Sequence, residues 1–154
     1  MTTPIAGQSA DWRAHLLESG EQLRELLQRV KRIAVLGIKT EAHSYQPAFY
    51  VPEFVQSAGY EIVPVPVYYP DATVILGQPV FRRLVDIPGD IDMVNVFRRS
   101  QDVPPHVDDI LEKRPRAVWM QSGIRHADVA EQLARAGIDV VQDRCLMVEV
   151  RRVT

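Results

Sequence analysis

Short runs of continuous aliphatic residues alternate along this chain with segments whose apolar positions recur at helical spacing. Near the start, Trp12, Leu16, Leu17, Leu23, Leu26, Leu27 and Val30 recur roughly at that spacing and predict helix over residues 9–30. Within it, Ser19-Gly20-Glu21-Gln22 has the form of a fresh capping box, which would divide the segment into two short helices. The pattern then alternates regularly. Ile33–Leu36 reads as a buried strand, Pro52–Ala58 as a helix stopped by Gly59, and Ile62–Val67 as a second strand. Phe81–Val85 reads as a short helix or turn, Asp92–Phe97 as a third strand and Val103–Glu112 as a helix. Ala117–Gln121 is a fourth strand, Ala127–Ala136 a helix stopped by Gly137, Ile138–Val141 a fifth strand, and Leu146–Val150 a candidate sixth strand at an edge.

Strands that are near-continuous in Val, Ile and Leu, and that alternate with helices, imply a parallel sheet covered on both faces. With right-handed crossovers, the expected fold is α/β: a doubly wound, mainly parallel, Rossmann-like sheet in a three-layer α/β/α arrangement. The 154 residues suffice for one core, with 46% apolar and 25% charged residues as in ordinary globular chains. A net charge of −2 offers no basic field for nucleic acid, and no apolar run approaches the ~18 residues of a membrane span. The N-terminus has no basic region followed by an apolar one, and a single cysteine, Cys145, rules out an internal disulfide framework. A cytoplasmic protein is the expectation.

In such sheets ligands bind outside the carboxyl ends of the strands. Those ends present four groups of candidate residues. After the first strand come Gly37, Ile38, Lys39 and Thr40: a glycine that lets the backbone turn near a ligand, then a cation and a hydroxyl suited to phosphate. The bland alternative is a plain turn with a solvated lysine. Pro64-Val65-Pro66 ends the second strand, since proline cannot complete a ladder, and offers a flat apolar rest for an adenine. Tyr68 and Tyr69 follow, as a stacking surface or as satellite core. Phe97, Arg98 and Arg99 end the third strand; paired arginines suit a polyanion through their planar forks, or make surface ion pairs with Asp102 or other acids. Gln121, Ser122 and Gly123 end the fourth, with amide and hydroxyl groups to bond a ligand, or with Ser122 as a helix N-cap.

Catalytic constellations are weak. His15, His43, His106 and His126 are far apart and none has metal-ligand spacing. Cys145, between Arg144 and Leu146, reads first as a small buried hydrophobe and second as a reactive thiol. Neither a Walker A loop nor a Gly-x-Ser-x-Gly elbow is present.

Taken in order, Ile33-Ala-Val-Leu-Gly37, Gly59-Tyr-Glu-Ile-Val-Pro-Val-Pro66, Leu76-Gly77 with Asp86-Ile-Pro88, Asp92-Met-Val-Asn-Val-Phe-Arg-Arg99, Ala117-Val-Trp-Met-Gln-Ser-Gly-Ile124 and Asp143-Arg-Cys-Leu-Met-Val-Glu149 resemble the stand-alone CoA-binding proteins. These are Rossmann-like and similar to the CoA-binding domain of the succinyl-CoA synthetase α-subunit. The resemblance covers about residues 30–150, leaving residues 1–30 as an N-terminal helical extension and 31–154 as the binding domain. It implies coenzyme A along the carboxyl edge, with Gly37–Thr40 at the phosphates, Val65 and Pro66 at the adenosine, and Phe97, Arg98 and Gln121–Gly123 lining the rest. Relatives commonly carry Gly-Ala-Ser after the first strand and Val-Asn-Pro after the second, where this chain has Gly37-Ile38-Lys39 and Val65-Pro66-Val67.

The resulting expectation is a module that binds CoA or an acyl-CoA without catalysis of its own, with room for a protein partner or a homo-oligomer. A CoA-dependent enzyme subunit that needs a partner is one alternative. An NAD(P)-binding domain is another, but it calls for a Gly-x-Gly-x-x-Gly turn and an acid at the tip of the second strand, and this chain has neither.

Overall fold

The computed structural model describes residues 11–154. The five core strands are β1 (Arg32–Leu36), β2 (Glu61–Val65), β5 (Met93–Val96), β6 (Ala117–Met120) and β7 (Asp139–Val141), all parallel, in the order β2-β1-β5-β6-β7. A two-stranded antiparallel hairpin, β3 (Val74–Ile75) and β4 (Gln78–Pro79), is an addition that the hydrophobic pattern did not suggest. The chain leaves β1 to β2 on one side and resumes with β5 on the other. The reversal of strand order therefore falls between β1 and β5, where a doubly wound sheet opens a crevice.

Alternation along each strand sorts its residues to two buried layers. Ile33, Val35, Ile62, Met93 and Trp119 face α1 (Gly20–Arg29), α2 (Pro47–Ser57) and α5 (Leu146–Val153). Ala34, Leu36, Val63, Val94, Val96 and Met120 face the 84–87 turn, α3 (Val107–Lys113) and α4 (Ala127–Arg135). This is the expected three-layer α/β/α sandwich. Among the described residues, no helix is long and apolar enough to cross a membrane.

The N-terminal segment is not one helix. Residues 9 and 10 of that expected helix lie outside the described residues. Trp12–His15 forms a single 3-10 turn, and a new helix begins at Gly20 behind Ser19. There Ser19 Oγ accepts the Gln22 N–H at 3.1 Å, and Gln22 Oε1 accepts the Ser19 N–H at 3.0 Å, a complete capping box. Ser19→Ala removes one half of it and is expected to lower the unfolding free energy by about 1 kcal/mol in urea titrations. An unchanged midpoint would mean the box is decorative.

Two further elements differ from expectation. The first crossover helix starts at Pro47, not Pro52. Proline suits the first helical position because no N–H is needed there. Pro52 then falls inside the helix, where it cannot bond the carbonyl of Ala48. That carbonyl instead accepts the N–H of Lys39 at 3.1 Å, which ties the loop after β1 to the helix.

Leu146–Val150 is helix, not a sixth strand. As a strand it would alternate Leu146, Val148 and Val150 against Met147 and Glu149. In the helix Leu146, Glu149 and Val150 are buried, while Val148 is 37% exposed. The buried Glu149 carboxylate is held by Arg152 at 3.2 Å and lies 3.9 Å from Arg144. At the β7 edge the N-terminal segment lies alongside in parallel: Leu17 N–H donates to the Val140 carbonyl at 2.9 Å.

Candidate functional site

A groove of about 820 Å³ opens at the carboxyl ends of β5 and β6, within the ~300–1,000 Å³ usual for small-molecule sites. Its walls come from the start of α2 (Gln46, Pro47, Ala48, Tyr50, Val51), the segment after β5 (Phe97–Asp102), the end of β6 (Gln121–Ile124), Tyr68 and Cys145. Behind Phe97, and outside the lining itself, lies Gly37. Its φ is +92°, and a Cβ there would stand 2.2 Å from the carbonyl oxygen of Phe97. Its N–H donates to Val65 O at 2.9 Å, and Phe97 N–H donates to Leu36 O at 2.9 Å. One glycine thus lets the ends of β2, β1 and β5 draw together beneath the groove.

Arg98 and Arg99, adjacent in sequence, are put to different uses. Arg99 is a surface ion pair: its side chain is 75% exposed and its Nε donates to Asp102 at 2.8 Å. Arg98 turns back over the groove wall. Its guanidinium lies 5.7 Å from the centre of the Tyr68 ring, and its Nε is buried without a hydrogen-bond partner. An unsatisfied donor on a charged group, on a groove wall, is costly unless a ligand supplies the acceptor. The same groove is lined by the start of α2, which carries the positive end of the helix dipole.

His106, which feels the Arg98 charge, is held below the ordinary imidazole range. Burial is the main cause and the Arg98 charge adds to it, against opposing pulls from Asp109 and Asp102. Because the folded value lies below the unfolded one, its contribution to stability is full above about pH 6.5 and is lost as pH falls through that range. An anion bound at Arg98 would offset the arginine's charge. The His106 ring protons, followed by NMR titration, are therefore expected to report a higher pKa with ligand bound. No change at saturation would place the anion elsewhere.

Gln121 is only 4% exposed and works as a brace. Its Oε1 accepts the N–H of Leu146 at 3.0 Å and the Nδ2 of buried Asn95 at 3.3 Å, joining β6, β5 and the start of α5. Its Nε2 has no partner among the described residues. Ser122 is exposed at the rim, and Gly123 donates its N–H to Asp143 at 2.6 Å. The N-cap of α4 is His126, whose Nδ1 accepts the Val129 N–H, and not Ser122.

Of the residues singled out from sequence, Tyr68, Phe97, Arg98, Arg99, Gln121, Ser122 and Gly123 converge on this groove. The others do not line it. Ile38 and Val65 have their side chains in the core, and Pro66 is buried, because continuous apolar strands bury both faces. Lys39 is turned toward Tyr69, with Nζ 3.4 Å from the hydroxyl. Thr40 pairs with His43 at 3.4 Å, and the His43 and Tyr69 rings lie 5.2 Å apart, so these four side chains form a separate cluster beside the groove. The stretch from Ile38 to Tyr50, expected as a long loop around the ligand, supplies part of the wall at Gln46–Tyr50, but as the start of a helix that begins at Pro47. Cys145 was read mainly as a core residue and proves half-buried, packed on the core and lining the groove.

A family model described as "CoA binding domain" matches residues 31–151. The chain belongs to this CoA-binding family. It is 36% identical over 130 residues to the uncharacterized protein YneT of Bacillus subtilis, covering 84% of this chain and 93% of that one. Among solved structures, that of cell-free ID.343 from Thermus thermophilus is 37% identical with a TM-score of 0.81, covering 89% of this chain and 100% of that chain. A hypothetical protein from Pyrococcus horikoshii OT3 is 27% identical with a TM-score of 0.79, covering 88% and 92%. For this chain, then, the family match supports CoA binding in general.

Proposed function

We propose that the groove binds coenzyme A or an acyl-CoA and that the protein acts as a binding module without catalysis of its own. The observation that carries this reading is the buried, unpartnered Nε of Arg98 on the groove wall. A phosphate oxygen would satisfy it and gain a charge-assisted bond. In this reading Arg98 and the first turn of α2 hold the phosphates, and the exposed Tyr68 ring supports the base. Phe97, Gln121, Ser122 and Gly123 line the pantetheine arm, whose amides alternate with apolar carbons as this wall alternates amide and apolar groups. Gly37 backs the wall at Phe97, while Ile38, Val65 and Pro66 support it from the core; Lys39 and Thr40 stand ready at the adjoining cluster for an outlying phosphate.

The polar groups of the groove favour binding over acid–base chemistry. Asp102, the one carboxylate of the lining, is engaged by Arg99, and Gln121 Oε1 is held by its bracing contacts. The other polar lining groups are arginines, neutral amides, hydroxyls and the Cys145 thiol, with no second carboxylate and no histidine among them. The tip of β2, where a dinucleotide's ribose would want an acid, is Val65-Pro66, both buried. Calorimetric titration is expected to show one CoA site per chain and no saturable heat from NAD+. No heat with millimolar CoA would end this reading, and tighter binding of NAD+ would replace it.

A further inference from the structure

Cys145 stands where the β7 strand hands over to α5, and its side chain forms part of the groove wall. Its neighbours on both sides are anchored. Trp119 Nε1 donates to the Arg144 carbonyl at 2.9 Å, and Arg144 Nη2 donates to the Glu18 carbonyl at 2.8 Å. On the other side, Leu146 N–H is held by Gln121 Oε1. The thiol is thus presented to the groove from a fixed backbone.

A second observation indicates what passes by it. Gln121 is more than nine-tenths buried and lies on the same wall, with its Oε1 committed to Leu146 and Asn95 and its Nε2 partnered by nothing among the described residues. An amide N–H kept free at that point suits the carbonyl oxygen of an amide in the ligand. Pantetheine carries such amides close to its terminal sulfur. A pantetheine arm bonded to Gln121 brings that sulfur toward Cys145, the residue before the one Gln121 braces.

We propose that the groove also takes CoA in its oxidised, disulfide form and that Cys145 becomes joined to it by thiol–disulfide exchange. This rests on the CoA reading of the groove. The Cys145 thiolate attacks one sulfur of the CoA disulfide; the bond between the two CoA sulfurs breaks, and a bond from Sγ to the nearer sulfur forms. The second CoA departs as a thiolate and takes up a proton, equal to the one Cys145 released. Cys145 is oxidised, the departing sulfur is reduced, and no further oxidant is needed. Since the chain has a single cysteine, no second thiol of its own can resolve the adduct. Only an outside thiol releases it, so the modified protein persists for as long as reducing thiols are scarce.

The test is intact-mass spectrometry of the full chain incubated with CoA disulfide under anaerobic conditions. The expected product gains the mass of one CoA less two hydrogens, maps to Cys145 and is reversed by dithiothreitol. Delivery by the groove should make this reaction at least about tenfold faster than that with glutathione disulfide, which lacks the nucleotide. Acetyl-CoA, with its sulfur blocked, should slow it by occupying the groove. Arg98→Ala should bring the ratio of the two rates down toward one. Equal rates with the two disulfides, or a Cys145 left free by CoA disulfide in protein that calorimetry shows to bind CoA, overturn the proposal and leave the binding reading intact. An absence of CoA binding overturns the binding reading itself.

Discussion

Replacing Gly37 by alanine is expected to lower the unfolding free energy by roughly 3–5 kcal/mol, one of the largest effects any single methyl could have in this chain. Two costs combine. The φ of +92° is strained for an L-residue, and the added Cβ would stand 2.2 Å from the Phe97 carbonyl oxygen, a backbone atom that cannot swing away. Gly59 supplies the control. Its φ is +107°, but nothing lies within 4 Å of a Cβ built there, so Gly59→Ala should carry the conformational cost alone, about 1–2 kcal/mol. Urea unfolding of the two variants separates the terms. If they lose the same stability, the close approach of β1 to the end of β5 is not what Gly37 is for. Any folded Gly37→Ala protein should also bind CoA poorly, because its groove wall at Phe97 is displaced.

The second expectation concerns affinity. Arg98→Ala should weaken CoA binding by about 1–3 kcal/mol, roughly fivefold to 150-fold in Kd, with little change in stability. Stability is spared because the guanidinium's buried Nε has no hydrogen bond within the protein to lose. Arg99→Ala is the matched comparison: its charge is committed to Asp102 and mostly solvated, so its removal should leave the Kd nearly unaltered. Calorimetry on both variants decides the matter. An Arg98→Ala protein that binds CoA normally but melts early would make the arginine structural, and equal losses at both positions would reduce the effect to general charge.

Those two arginines also show how far the sequence could be read. Their place after a strand was legible, because Met93–Phe97 is apolar but for Asn95 up to the polar break. Which of them faces the groove was not, since that depends on the turn the backbone takes at Phe97 and on Asp102 lying three residues past Arg99. The sheet was legible for a similar reason: strands buried on both faces cannot be amphipathic, and their helices carry glycine stops. Helix starts were harder. Pro47 and Pro52 both qualify as a first residue, and the choice was made by Lys39, whose N–H takes the carbonyl that Pro52 cannot use. Leu146–Val150 fits period two as well as period 3.6. Glu149 decided it, buried beside Arg144 and paired with Arg152 one helical turn on, a polar spacing that a pattern of apolar positions does not score. Lys39 was drawn to the phosphates by its charge and its position, and the loop's bond to Ala48 turns it toward Tyr69 instead.

The manner in which the sheet ends bears on how copies of this chain could meet. At β7, the backbone of Leu17 occupies the outer hydrogen-bonding positions at Val140. At β2, Ile62 and Pro64 are the residues whose backbone faces outward. Pro64 has no N–H to offer, and its carbonyl is taken by Phe81 at 3.0 Å. Among the described residues, neither margin presents an unbroken row of free backbone groups to a further strand. A self-association of this protein is therefore expected to join helical faces, side chain to side chain, and to be sensitive to surface substitutions on the helices.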